Sequence, residues 1–167
     1  MAWTTPRTWT SSTLTAAQLN TDIRDNSNFL ATDKAMWSIS RAAVQSIPNA
    51  TLTEVAWTSE SFDNAGLHSL VTNTGRVTTT VAGKYLLMVT VNFAANATGF
   101  RDLVLNVSGS QALSMETAPS ASAATGMQLN GLVSVTAGQY FTVSVYQNSG
   151  GALDLSSCWF SGMWVGV

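Results

Sequence analysis

A strand that is apolar on both faces needs cover on both faces, and Tyr85 to Phe93 is such a strand along half its length. Read with period two, Tyr85, Leu87, Val89, Val91 and Phe93 share one face. Leu86 and Met88 open the other face before Thr90 and Asn92. An antiparallel sheet with one solvated side needs only one apolar face, so Leu86 and Met88 call for a second covering layer. The turns on either side fix the strand's limits. Ala82-Gly83 precedes it and Asn96-Ala97-Thr98-Gly99 follows, both of turn composition.

The parity of the other strands sorts them into two kinds. In Phe100 to Val107, Leu103, Leu105 and Val107 share a face opposite Asp102, Val104 and Asn106. In Tyr140 to Gln147, Phe141, Val143 and Val145 alternate with Tyr140, Thr142, Ser144 and Tyr146. Both read as one-sided, with a core face and a polar outer face. The closing strand, Cys158 to Val167, is two-sided, with Phe160 and Trp164 on one face and Trp159, Met163 and Val165 on the other. If two-sided strands form one sheet and one-sided strands the other, one sheet lies between the core and a further apolar partner. Self-association is the simplest source of that partner. Burying one Leu or Met side chain is worth roughly 1.5–3 kcal/mol, so a few per subunit make an assembly obligate.

Further candidate strands are Ala42 to Val44, Thr51 to Trp57, Val77 to Val81 and Met127 to Val135. Phe62 to Gly75 reads as a loop, and Ser108 to Gly126, rich in small residues, as a long, partly irregular connection with mobility expected. Eight to ten short strands at this spacing predict an all-β sandwich or jelly roll. Before them, residues 15–30 have helical character. Thr15 and Gln18 fit a capping box, and Ala16, Leu19, Ile23, Asn26 and Leu30 follow a heptad-like spacing in which only Asn26 is polar. Two readings stand: a short amphipathic helix packed on its own domain, or a helical stalk whose Asn26 sets the register of a trimer.

Composition narrows the function. Of 167 residues only 10% are charged, with a net charge of −2 and seven scattered basic side chains, which argues against nucleic acid as a partner. Cys158 is the sole cysteine, so no intrachain disulfide or multi-cysteine metal site is possible. The first residues lack a signal peptide's apolar run, and no stretch has the length of a membrane span. Synthesis in a reducing cytoplasm is therefore expected, which would leave the sequons at Asn49, Asn96 and Asn106 without glycan. His68, the only histidine, lies near Asp63 without a partner set for metal or acid–base chemistry, and the acids show no paired-carboxylate spacing. No nucleophile elbow, phosphate loop or zinc motif occurs, so no catalytic residue, cofactor or metal is expected. Trp57, Tyr140 and Tyr146 are candidate ligand-stacking aromatics, although each also suits a packed sheet edge.

From about Ala43 to Val167 the chain resembles the C1q/TNF-like jelly-roll superfamily. Phe62-Asp63, Asn73-Thr74-Gly75-Arg76-Val77, Val81-Ala82-Gly83-Lys84-Tyr85-Leu86, Asn96 to Arg101, Ala137-Gly138-Gln139-Tyr140, Val145 to Gly151 and Phe160-Ser161-Gly162 carry the resemblance. It implies a ten-stranded sandwich assembled as a homotrimer, its inner sheet around a threefold axis, with Leu86 and Met88, and more weakly Trp164, at the interface. The version with AANATGFR and YQNSGGALDL is similar to C1q-like proteins of bacteriophages and prophages, and TWTSSTLTAAQLNTDIRDNSNFL looks like the start of phage virion proteins. These resemblances imply an N-terminal anchor and neck over 1–39, with Leu19, Ile23, Asn26 and Leu30 along its helix, followed by a head over 40–167. They also imply a location on the virion surface after synthesis in the host bacterial cytoplasm, with docking onto other virion proteins. Three functions follow as alternatives. One is a non-enzymatic structural appendage of tail or capsid; the second is a receptor-binding head for host glycan or protein; the third, the least supported, is a glycan-acting enzyme.

Overall fold

A computed structural model describes residues 3–167, and the first two residues of the expected anchor lie outside the described residues. Eleven strands occur among them: β1 (Met36–Arg41), β2 (Gln45–Ile47), β3 (Thr53–Glu54), β4 (Ser59–Asp63), β5 (Arg76–Thr78), β6 (Gly83–Phe93), β7 (Arg101–Val107), β8 (Ser110–Thr117), β9 (Thr125–Val135), β10 (Tyr140–Gln147) and β11 (Leu153–Gly166). They form two antiparallel sheets. One runs β4-β1-β11-β6-β9 with β2 also on β11, and the other runs β3-β10-β7-β8 with β5 also on β10. The two-sided strands β6 and β11 are neighbours in the first sheet, and the one-sided strands β7 and β10 are neighbours in the second. The parity sorting thus holds.

The inner faces meet in one apolar core. Tyr85, Leu87, Val89, Val91 and Phe93 are all buried, as are Leu103, Leu105, Phe141, Val143, Val145 and Phe160. The Trp37 ring stacks on Phe141 at 5.9 Å between centroids and meets Phe160 edge-on at 5.5 Å. Gly162 makes room for that indole, since a Cβ there would run into the Trp37 ring. Cys158 is buried in the same core as a free thiol.

Three sequence expectations need correction. The stretch 108–126 is more ordered than expected: β8 and the start of β9 occupy about half of it, because Leu113 and Met115 alternate inward against the core among otherwise small residues, and only 118–124 lies outside a strand between them. Likewise, Phe62 and Asp63 belong to β4 rather than to a loop. The head begins at Met36 and not at residue 40, since Trp37 and Ile39 are core residues and β1 pairs with both β11 and β4.

The helical segment spans residues 16–33. Its capping box is present, with Thr15 N–H donating to Gln18 Oε1 at 2.8 Å and Gln18 N–H to Thr15 Oγ1 at 3.3 Å. Beyond Ala16–Leu19 the turns widen to π-type at Asn20–Asp25 and Phe29–Asp33. A 3-4 spacing does not stay on one line through such i→i+5 turns, and the buried positions are Asp22, Asn26 and Phe29. Residues 3–7 cover them. Arg7 pairs with Asp22, Asn26 bonds Thr4, and Phe29 packs with Trp3 and Trp164. Asn26 therefore leaves the expected seam, because its amide bonds a backbone within its own chain. Leu19, Ile23 and Leu30 remain exposed, at 40, 53 and 52%.

Candidate functional site

The outer face of the six-stranded sheet can be built row by row from its register. Met36 faces Met163, Met163 faces Leu86, and Leu86 faces Leu132, so four apolar side chains cross four strands in one line. The next row runs Phe62, Ser38, Ser161, Met88 and Asn130, and the one after it Ser40, Trp159, Thr90 and Gln128. Within this face Leu132 is 62% exposed, Trp159 49% and Met88 41%, whereas Leu86, Met36 and Met163 are half-buried. None of the described residues covers this apolar patch, and exposed apolar patches of this kind are common at association surfaces. Leu86 and Met88 lie on it. Leu132, Met36, Met163, Phe62 and Trp159 complete it, and their membership depends on cross-strand register, which a linear pattern does not give.

Trp164 does not belong to that surface. Only 4% exposed, it sits edge-on to Phe29 at 5.3 Å, and its Nε1 donates to the Ala82 carbonyl at 3.0 Å. Its parity with Phe160 points it inward, where the N-terminal aromatics cover it. Trp57 is also removed from the ligand-contact candidates. It is 1% exposed and packs on Phe160 at 5.8 Å, because Val55 and Trp57 close the core at the sandwich edge. Tyr140 and Tyr146 remain partly exposed on the other sheet. Arg76 lies over the Tyr140 ring at 4.2 Å, and Tyr146 stacks on Phe100 at 5.3 Å.

Between those tyrosines the outer face of β7 and β10 is polar yet buried. Asn106 Nδ2 donates to Ser144 Oγ at 3.3 Å and reaches Thr142 Oγ1 at 3.5 Å, so these side chains largely satisfy one another. Next to them, burial pushes the Asp102 carboxyl above its usual range.

Two of the sequence motifs that carry the resemblance, Asn96 to Arg101 and Val145 to Gly151, hold one end of the sandwich together. Arg101 is fully buried beside Phe93, donating from Nη1 to the Thr98 and Phe100 carbonyls and from Nη2 to the Asn96 carbonyl, each at 3.0 Å. Burial lowers its pKa. Asn148 Oδ1 accepts from Phe100 N–H at 2.6 Å, and Gly99, at φ +74°, leaves the space which that amide fills. Gln147, also buried, donates to the Ile47 and Gly151 carbonyls and accepts from Ser149 N–H. These residues staple loops and present no reactive group.

His68 lies in the loop between β4 and β5 with its imidazole fully buried. Its Nδ1 meets Glu60 Oε1 at 2.6 Å and its Nε2 meets the Thr74 carbonyl at 3.0 Å. Asp63, expected nearby, instead accepts the Ala65 and His68 backbone N–H groups. Among the described residues no three metal-ligating side chains gather, and no helix is long and apolar enough to cross a membrane.

The arrangement is a C1q/TNF-like jelly roll. The globular domain of zebrafish complement 1qA protein superposes with a TM-score of 0.63 at 16% identity, over 79% of this chain and 98% of that one. Murine APRIL at pH 5.0 gives 0.62 at 17% identity, over 79 and 99%, and the Eiger TNF from S. frugiperda 0.57 at 12%, over 78 and 90%. No family model and no curated protein matches the chain.

Proposed function

We propose that this chain is a non-enzymatic structural protein of a bacteriophage virion, a homotrimeric surface appendage attached through its N-terminal segment. One observation carries the assembly: the line Met36, Met163, Leu86 and Leu132 on the outer sheet face, joined by Met88 and Trp159. Around a threefold axis three such faces bury one another, and each would otherwise expose that patch to water. Leu19, Ile23 and Leu30, exposed on the helical segment, offer further apolar contacts for the neck. The virion role is supported by the resemblance of the N-terminal stretch to phage virion proteins, together with the sparse charge of the surface. The protein would be made in the host cytoplasm and carried on the particle surface.

Sedimentation of the purified chain tests the assembly, the expected species being a trimer and the contrary result a folded monomer at micromolar concentration. Labelling of particles tests the location, since tail-tip, capsid and absent are distinguishable outcomes. A second reading, a receptor-binding head, is favoured by one specific observation, an open polar cleft beside Arg76.

A further inference from the structure

Four hydrogen-bonding side chains line that cleft, and each keeps a donor that no group among the described residues accepts. The cleft, about 210 Å³, lies between the 64–75 loop and β5. Arg76 lines it with its guanidinium held over the Tyr140 ring at 4.2 Å and no carboxylate in ion-pair contact. Asn73 contributes an amide and Thr78 a hydroxyl, neither engaged elsewhere. Ser69 Oγ accepts from Val71 N–H, Thr72 N–H and Thr72 Oγ1, which leaves its own proton free to donate.

Two acids around the cleft are occupied, and the third makes no ion pair with Arg76. Glu60 is taken by His68, and Asp63 by two backbone N–H groups. Glu54 lies against Gly75 on the neighbouring edge without pairing Arg76. The loop is pre-shaped: the buried His68 ties Glu60 to Thr74, Thr78 N–H bonds the Leu67 carbonyl at 2.7 Å, and Arg76 N–H bonds the Asn73 carbonyl at 2.8 Å. Little ordering is left for a ligand to impose.

We infer that this cleft binds an acidic sugar, its carboxylate on Arg76 and its ring hydroxyls on Ser69, Asn73 and Thr78. A guanidinium fixed by an aromatic face presents its N–H fork to a planar carboxylate, and carboxylates are its best-matched small partners. A bare carboxylate would use Arg76 alone, whereas a sugar acid also uses the three flanking groups. The volume is enough for one sugar ring. This site is independent of the virion reading, because the isolated protein can be assayed without a particle.

Titration of the full-length protein with galacturonic acid and N-acetylneuraminic acid, followed by amide chemical shifts or calorimetry, tests the assignment. Saturable binding with shifts confined to 66–78 and 140 is expected, with neutral galactose at least about 10-fold weaker, as loss of a charged hydrogen bond implies. Arg76→Gln should lose affinity by a similar factor. Tyr140→Leu should weaken binding, while Tyr140→Phe, which keeps the ring, retains it. Thermal unfolding of each variant separates loss of the site from loss of the fold. No saturable binding by either acid, binding unchanged in folded Arg76→Gln, or equal affinity for acetate, inorganic phosphate or an N-acetylglutamate amide would overturn the proposal.

Discussion

Thr4 and Asn26 exchange two hydrogen bonds, Thr4 N–H to Asn26 Oδ1 at 3.0 Å and Asn26 Nδ2 to the Thr4 carbonyl at 2.8 Å. The amide thus completes the backbone hydrogen bonding of an extended strap laid along the helical segment. Asn26→Leu conserves approximate size but leaves both Thr4 groups unpaired, and should release residues 3–13 at a cost of about 1–3 kcal/mol to local stability. Faster amide exchange and protease cleavage in that stretch, with the head unaffected, is the expected readout. If Asn26 instead set a helical register, the variant would change the oligomeric state and leave strap protection intact.

Association through the sheet face should be sensitive to charge and indifferent to fold. Leu132→Asp and Met88→Asp place carboxylates on positions exposed in the single chain. Buried against a partner, each unpaired charge costs several kcal/mol, so the double variant should sediment as a smaller species than the parent. Circular dichroism should retain the β-sheet signal. An unchanged assembly in the double variant would move the contact elsewhere on the molecule.

Arg101→Ala should be among the most damaging single changes. It strips the Asn96, Thr98 and Phe100 carbonyls of their donors and empties a large buried volume beside Phe93. About 3–5 kcal/mol of destabilisation in denaturant titration is expected. Gly162→Ala, which pushes a methyl into the Trp37 ring, should cost about 1–3 kcal/mol by overpacking alone.

The alkaline limb of stability should reflect two buried acids. Burial pushes the Cys158 thiol from 9.0 up to about 11, and the Tyr85 phenol from 10.0 up to about 12. Both pKa values are raised in the folded state, so the folded chain holds protons that the unfolded chain has released. Stability is therefore undiminished below the unfolded values and falls as pH rises, from about 9 to 11 for Cys158 and 10 to 12 for Tyr85. Each group contributes up to about 1.4 kcal/mol per pH unit within its window. Urea midpoints measured from pH 8 upward should fall less steeply in Cys158→Ala than in the parent. Equal slopes would mean that the thiol is not protected.

Sheet membership was legible in the sequence because side-chain parity is local: Leu86 and Met88 against Tyr85 and Leu87 can be read without knowing any neighbour. The capping residues Thr15 and Gln18 were legible for the same reason, their partners being three positions apart. What lay across the fold was not. Trp164 and Trp57 looked available until Phe29, Trp3 and Phe160 were placed beside them. Nor does the sequence show that Arg76 makes no ion pair, because the absence of an ion pair is a property of the surroundings and not of the residue. The helical stripe was only partly legible, since its heptad-like spacing assumes regular α turns, which the π turns interrupt.

The aromatic contact between Trp3 and Trp164, 6.2 Å between centroids, has a practical consequence for engineering. It brings the N-terminal strap and the last strand to the same pole, where Lys84 Nζ also holds the Val167 carbonyl at 2.8 Å. A tag fused after Val167 would therefore crowd the N-terminal strap. Cargo for display belongs at the far pole, in the turns around Gly99 and Gly150, and a fluorescence probe of strap release is already built in as the indole pair itself.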